Sequence, residues 1–346
     1  MKINRGFGNM RDLPALDPAV PYAGMPRGRR RSLPCLTLLA VCLLGAGVAR
    51  ADSGGAQQRD LPSFTSKAGQ ESFGNAAMTV SWTLAEDKLT HLVVSDGINH
   101  QQFPVTAPFA LTLADGSKLA VAELRVLSAP KQKALPVEPE ASRLVERLPG
   151  SMVEASFGDS AGRFRIDSQW VQRQGSDYLR QIVTITALKQ DESIKRVDLL
   201  QIKAADAEVV GTVPGSPVVS GRDYFGFEHP LSSSEVRGSQ LQLWIDRDLP
   251  LRKGQSVTYS AVVGATHGNQ LRRDFASYIE RERAHPYRPF LHYNSWYDIG
   301  YFTPYTEAQA LDRIHTFGEE LSVKRGVKLD SFLFDDGWDD RSGSWH

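Results

Sequence analysis

The stretch Phe290-Leu-His-Tyr-Asn-Ser-Trp-Tyr-Asp298, followed about forty residues later by Ser331-Phe-Leu-Phe-Asp-Asp-Gly-Trp-Asp-Asp340, decides how the C-terminal part of this chain is read. Each is an apolar, strand-like run that ends in aromatic and carboxylate side chains. Between them Ala308, Leu311, Ile314, Phe317 and Leu321 recur at helical spacing, with Thr306 as the N-cap and Gly326 in the return turn. A helix crossing between two strands implies parallel pairing. Residues 290–295, 307–321 and 329–334 therefore predict a β-α-β unit whose polar residues fall at the C-terminal ends of its strands, where α/β barrels carry their active sites.

Upstream, the pattern is that of short strands. Met78-Thr-Val-Ser-Trp-Thr-Leu84 alternates, 89–94 is apolar, and 109–113 meets 118–126 across Asp115-Gly116, a hairpin signal. Residues 163–170, 178–188, 240–245 and 256–263 continue the series, which predicts an antiparallel β-sandwich over 67–266. After Gly268 the period changes. Leu271, Phe275, Tyr278 and Ile279 lie on one helical face until His285-Pro286 stops it, giving a linker helix within 267–289. The fold class is thus mainly β: a sandwich, a linker helix, then the first β-α-β of an incomplete (β/α)8 barrel over 290–346.

The N-terminal residues 1–51 carry an export pattern. Arg27, Arg29, Arg30 and Arg31 precede an apolar stretch over 33–48, and Ala49-Arg50-Ala51 is a small-x-small cleavage site. Cleavage is expected after Ala51, with Met25 an alternative start and 52–66 a polar, flexible leader. The expected destination is outside the cell or the periplasm, with no membrane attachment once the signal is removed. Cys35 and Cys42 both lie in this segment, so the mature chain has no thiol for disulfides, nucleophilic catalysis or zinc. The 40 basic and 40 acidic residues balance, which gives no global field for nucleic acid.

Asp335 and Asp336 look at first like an acid/base pair, but neighbouring strand residues point to opposite faces. Glycosidic cleavage needs two carboxyl groups flanking the bond, roughly 5 to 9.5 Å apart. At a strand end before Gly337, both aspartates can still turn toward a pocket as acceptors for sugar hydroxyls, with Trp296 and Trp338 as apolar walls and Asn294 beside them. The competing structural reading has the carboxylates capping a helix and the tryptophans in the core. A second cluster, Phe227-Glu-His-Pro230, offers Glu228 and His229 as residues that either reach the barrel mouth or pack a domain interface. One Glu beside one His does not make a metal site, and no metal or other cofactor is implied.

Asn294-Ser-Trp296 and Phe334-Asp-Asp-Gly-Trp338 resemble the opening of the catalytic barrel of glycoside hydrolase family 36 α-galactosidases and their melibiase-like relatives, including secreted bacterial proteins sometimes labelled enterotoxins. The resemblance implies an N-terminal β-supersandwich, a helical linker and a (β/α)8 barrel. It also implies a partner saccharide with a terminal α-linked sugar, bound by Asp335, Asp336, Asn294, Trp296 and Trp338. The family's nucleophile follows a Lys-Trp-Asp motif on the fourth strand and its acid/base aspartate lies on the sixth. About 57 residues run from Phe290 to His346, against roughly 250 for a barrel, so no catalytic residue is expected in this chain and it should not turn over alone. The alternatives are a non-catalytic carbohydrate-binding sandwich and a related hydrolase for another α-linked sugar such as N-acetylgalactosamine.

Overall fold

The computed structural model describes residues 61–339. The expected export segment with Ala51, and the last residues after 339, lie outside the described residues. Seventeen strands come first: β1 (Ser63–Lys67), β2 (Gln70–Gly74), β3 (Met78–Ala85), β4 (Lys88–Asp96), β5 (Gln101–Leu113), β6 (Lys118–Ala120), β7 (Arg125–Leu135), β8 (Gly150–Gly158), β9 (Phe164–Arg173), β10 (Tyr178–Ala187), β11 (Ile194–Lys203), β12 (Ala207–Val209), β13 (Val218–Ser220), β14 (Asp223–Phe227), β15 (Ser233–Arg237), β16 (Gln240–Asp246) and β17 (Ser256–Ala265). They form two antiparallel sheets. One runs β1-β2-β3-β4-β5-β11-β16-β15, with β6 paired to β5; the other runs β12-β13-β14-β17-β10-β9-β8-β7.

Each sheet turns one face to a shared core, as period-two patterning dictates. In β9, Phe164, Ile166 and Trp170 are buried, and in β16 Leu241, Leu243 and Ile245 are. Across the gap, Phe103 of β5 meets Phe225 of β14 edge-on at 5.2 Å, and Phe109 of β5 meets Phe157 of β8 at 5.6 Å. Polar groups also bridge the layers. The Asn75 side chain donates to the Ser176 carbonyl at 3.0 Å and accepts from Gln172 at 3.0 Å.

Two expectations change here. The leader's last residues are already part of β1, paired along β2, and the strand expected over 118–126 is cut by a 3-10 turn at Val121–Glu123. The Asp115-Gly116 hairpin does join β5 to β6.

Helix α1 (Leu271–Glu282) follows, with Phe275 and Tyr278 packed on Tyr224 at 5.1 and 5.6 Å. Close approach requires Gly264: a Cβ there would lie 2.2 Å from the Tyr224 ring. Next come β18 (His292–Asn294), α2 (Glu307–Phe317) and β19 (Ser331–Leu333). Thr306 caps α2, accepting from the Gln309 amide while Gln309 returns to the Thr306 amide at 2.9 Å. The helix then widens into a π-turn over Gly318–Val323. β18 and β19 pair in parallel, His292 with Ser331 and Asn294 with Leu333. This β-α-β is sparsely covered: α2 buries no residue, and Leu311, Val323 and Leu333 are exposed.

Candidate saccharide site

Parallel pairing brings the two motifs side by side. At the start of the strands, Asp330 accepts from the Leu291 amide at 3.0 Å and from Arg288 at 2.7 Å, and these contacts hold its carboxyl below its ordinary range. At the other end, Asn294 closes the turn over Ser295–Tyr297, its side chain accepting from the Trp296 amide at 2.9 Å. The fully buried Ser295 is the junction. Its hydroxyl accepts from the Asp335 amide at 2.8 Å and faces the Tyr305 hydroxyl at 3.4 Å, while Tyr305 donates to the Asp335 carbonyl at 2.9 Å.

The aspartates occupy the bend that follows. Asp335 Oδ1 accepts the Asp336 amide at 2.8 Å, which turns the chain out of the strand direction. Gly337 takes φ +112, and a Cβ there would lie 2.7 Å from the Thr303 carbonyl. The loop from Gly300 to Tyr305 therefore wraps directly over Asp335–Gly337, and Tyr305 donates its amide to the Gly337 carbonyl at 2.9 Å. Asp335 and Asp336 are half-buried and Trp338 is exposed. Trp296 packs edge-on against Tyr301 at 5.2 Å and Phe302 at 4.8 Å. Behind it, Asp298 accepts from the Tyr293 hydroxyl at 2.9 Å and lies 3.4 Å from Arg313; burial and this bond push the Tyr293 hydroxyl up. The arrangement offers carboxylate acceptors beside aromatic surface, which is suited to binding a polyol ring. Among the described residues no group of three or more His, Cys, Asp or Glu side chains is placed to hold a metal.

Asn294, Trp296, Asp335, Asp336 and Trp338 thus gather on one end of the small parallel sheet. Glu228 and His229 belong elsewhere. Glu228 receives both Arg180 Nε, at 2.8 Å, and Arg180 Nη2, at 2.7 Å, and the Tyr278 hydroxyl of α1 at 2.5 Å. Burial alone would raise the Glu228 carboxyl, but Arg180 and Tyr278 hold it below its ordinary range. His229 Nδ1 accepts from the Leu231 amide and its ring meets Tyr259. Glu228 ties the linker helix to the sandwich, and His229 packs within the sandwich.

Ser295 and Tyr305 escaped the sequence reading. Ser295 sat inside the quoted motif without a role, and Tyr305, between Pro304 and the Thr306 cap, carried no pattern that tied it to residues thirty positions on.

No protein-family model and no curated protein matches the chain. Solved structures do. The GH36 alpha-galactosidase AgaB from Geobacillus stearothermophilus aligns over 81% of this chain and 51% of its own, with 14% identity and a TM-score of 0.50. The galactosidase domain of the alpha-galactosidase-sucrose kinase AgaSK aligns over 81% of this chain and 52% of its own, with 12% identity and a TM-score of 0.50. At this identity the likeness is one of fold. The two antiparallel sheets match the N-terminal β-sandwich of these enzymes, and the chain spans about half of their length.

Proposed function

We propose that this chain is the sandwich-bearing part of an exported, retaining glycoside hydrolase related to the α-galactosidases, and that its β-α-β unit supplies the first wall of a pocket for a terminal α-linked galactose. The observation that carries the reading is the Ser295 junction, which locks the Asn294-Ser-Trp296 and Asp335-Asp-Gly-Trp338 segments together at the C-terminal ends of two parallel strands. Asp335 and Asp336 accept hydrogen bonds from adjacent sugar hydroxyls, which charged acceptors make stronger than neutral ones would. Trp296 and Trp338 cover the apolar C–H face of the ring. Asn294 sets the turn that presents Trp296.

Hydrolysis with retention needs a nucleophilic carboxylate and a second carboxyl about 5 Å away that protonates the leaving oxygen and then activates water. Asp335 and Asp336 take neither part in this proposal. Those roles fall to residues outside these two motifs; the motifs themselves are expected to bind methyl α-galactoside.

Calorimetric titration with methyl α-galactoside tests the reading. Asp335→Ala and Asp336→Ala should each weaken binding by roughly tenfold or more, the value of one charge-assisted contact. Unchanged binding in both variants would move the sugar site to the sandwich. Export is tested separately: the secreted protein should begin at Asp52.

A further inference from the structure

We infer that Asp96 and Asp223, which face one another between the two sheets, hold a calcium ion that ties the layers of the sandwich together. The inference goes beyond the saccharide reading and does not depend on it.

The first ground is pattern. Along β4, Leu92 and Val94 turn to the core, and Asp96 takes the next position on that face; along β14, Phe225 and Phe227 do so, and Asp223 precedes them on it. Period-two patterning thus puts a carboxyl group from each layer where an apolar side chain is due. Asp96 is 2% and Asp223 1% exposed, and the two groups are within hydrogen-bond reach of one another. Charge buried in this way is costly unless it is paired or coordinates a metal.

The second ground is what surrounds the two groups. Asp96 is held by its own turn: Oδ1 accepts the Ile98 amide at 2.6 Å and the Asn99 amide at 3.1 Å, and Oδ2 accepts the Asn99 side-chain amide at 2.8 Å. Neither oxygen of Asp223 meets a donor among the described residues. The basic residues His100, Lys203 and Arg222 are exposed, and Arg222 donates instead to the Asn99 side chain at 3.4 Å. A proton shared with Asp96 satisfies one Asp223 oxygen and leaves the other bare. Calcium takes a carboxylate through both oxygens, and it fills its remaining positions from carbonyls and water. Donors that are all oxygen select such a hard ion over zinc or copper.

The third ground is access. A cleft of about 600 Å³ lined by Asn99, His100, Lys203, Asp206, Arg222 and Asp223 lies beside the pair. It gives room for the ion's water and a path for its entry. Two acids are fewer than a complete cage of side chains, which sets the affinity in the range of modest oxygen sites, with a Kd of about 0.1 to 1 mM.

The test titrates the full chain, stripped of metal by a chelator, with calcium chloride at pH 9 to keep protons from competing for the ligands. Calorimetry and melting temperature are read for the parent, for Asp223→Asn and for Asp206→Asn, the last changing an exposed acid of the same cleft. The parent should bind a single ion and melt higher with it. Asp223→Asn should bind at least about tenfold more weakly, and Asp206→Asn within about twofold of the parent. A calcium-soaked crystal of the parent should place the anomalous peak of the ion between Asp96 and Asp223, a readout that needs no variant. Absence of saturable binding in the parent by about 10 mM, affinity unchanged in Asp223→Asn, or a peak elsewhere would overturn the site. Equal weakening in Asp206→Asn would overturn it too, reducing the effect to the general charge of the cleft.

Discussion

Gly337 shows how much of the site depends on single positions. Its φ of +112 and the 2.7 Å approach to the Thr303 carbonyl leave no room for a Cβ. Gly337→Ala should force the aspartate bend off the Gly300–Tyr305 loop and abolish methyl α-galactoside binding, while circular dichroism of the sandwich stays unchanged. Asp223, at the start of β14, makes a different point. It is 1% exposed, and neither carboxyl oxygen meets a hydrogen-bond donor among the described residues. Burial first, and then the neighbouring Asp96, push its carboxyl up to about 8; once protonated it can donate to Asp96. Between an unfolded value of about 3.9 and this one the native state holds a proton that the unfolded chain lacks. The Asp223 contribution is therefore complete below about pH 4, declines as pH rises, and is lost above about pH 8. Urea denaturation at pH 5, 7 and 9 should show that decline, and Asp223→Asn should flatten it and exceed the parent in stability at pH 9. Of these residues, the sequence singled out Asp335 and Asp336, because two acids beside Gly-Trp at a strand end stand where α/β barrels carry polar chemistry. Asp223 was not legible, since burial depends on which strands neighbour it.

At the scale of elements, α1 is held by a buried set of charges. Arg180 contacts Glu228 at 2.7 Å and Glu282 at 2.9 Å, and Tyr178 donates to Glu282 at 2.8 Å; Arg180 and Glu228 side chains are 13% and 14% exposed. Removing one partner strands the others in a poorly solvated place. Arg180→Ala should cost about 3–5 kcal/mol by denaturant unfolding, more than Glu228→Gln, which keeps the shape and removes the charge that Arg180 neutralises. The elements read correctly from sequence were those with one face in the core and one in solvent, such as β3, β9 and β16. β11 was missed for a local reason: a bulge between Leu199 and Ile202, with Leu200 at φ +51, puts Leu199 and Leu200 both in the core and breaks the alternation. The first half of β5 was hidden by Pro104, which pairs with Val93 inside the sheet. The linker helix and α2 were legible because their apolar spacing is regular and Thr306 is a strong cap.

For the whole molecule, the sandwich closes its core without joining its sheets into a barrel, so β1, β15, β12 and β7 end the two sheets. Three of these are short. β7 is eleven residues long, and in its second half the chain turns Lys131, Gln132, Lys133 and Ala134 to solvent. Its register with β8 skips between Ser128 and Lys131 around Pro130, a residue with no amide hydrogen to offer. A long free edge is a template on which another unfolding or newly made copy can add, and bulges, lysines and proline spoil it. Lys131→Val with Lys133→Val should leave the chain folded and make it aggregate with concentration, visible by light scattering before any loss of melting temperature. The irregular run of β7, besides pairing with β8, thus guards against the addition of a second copy of the chain along this edge.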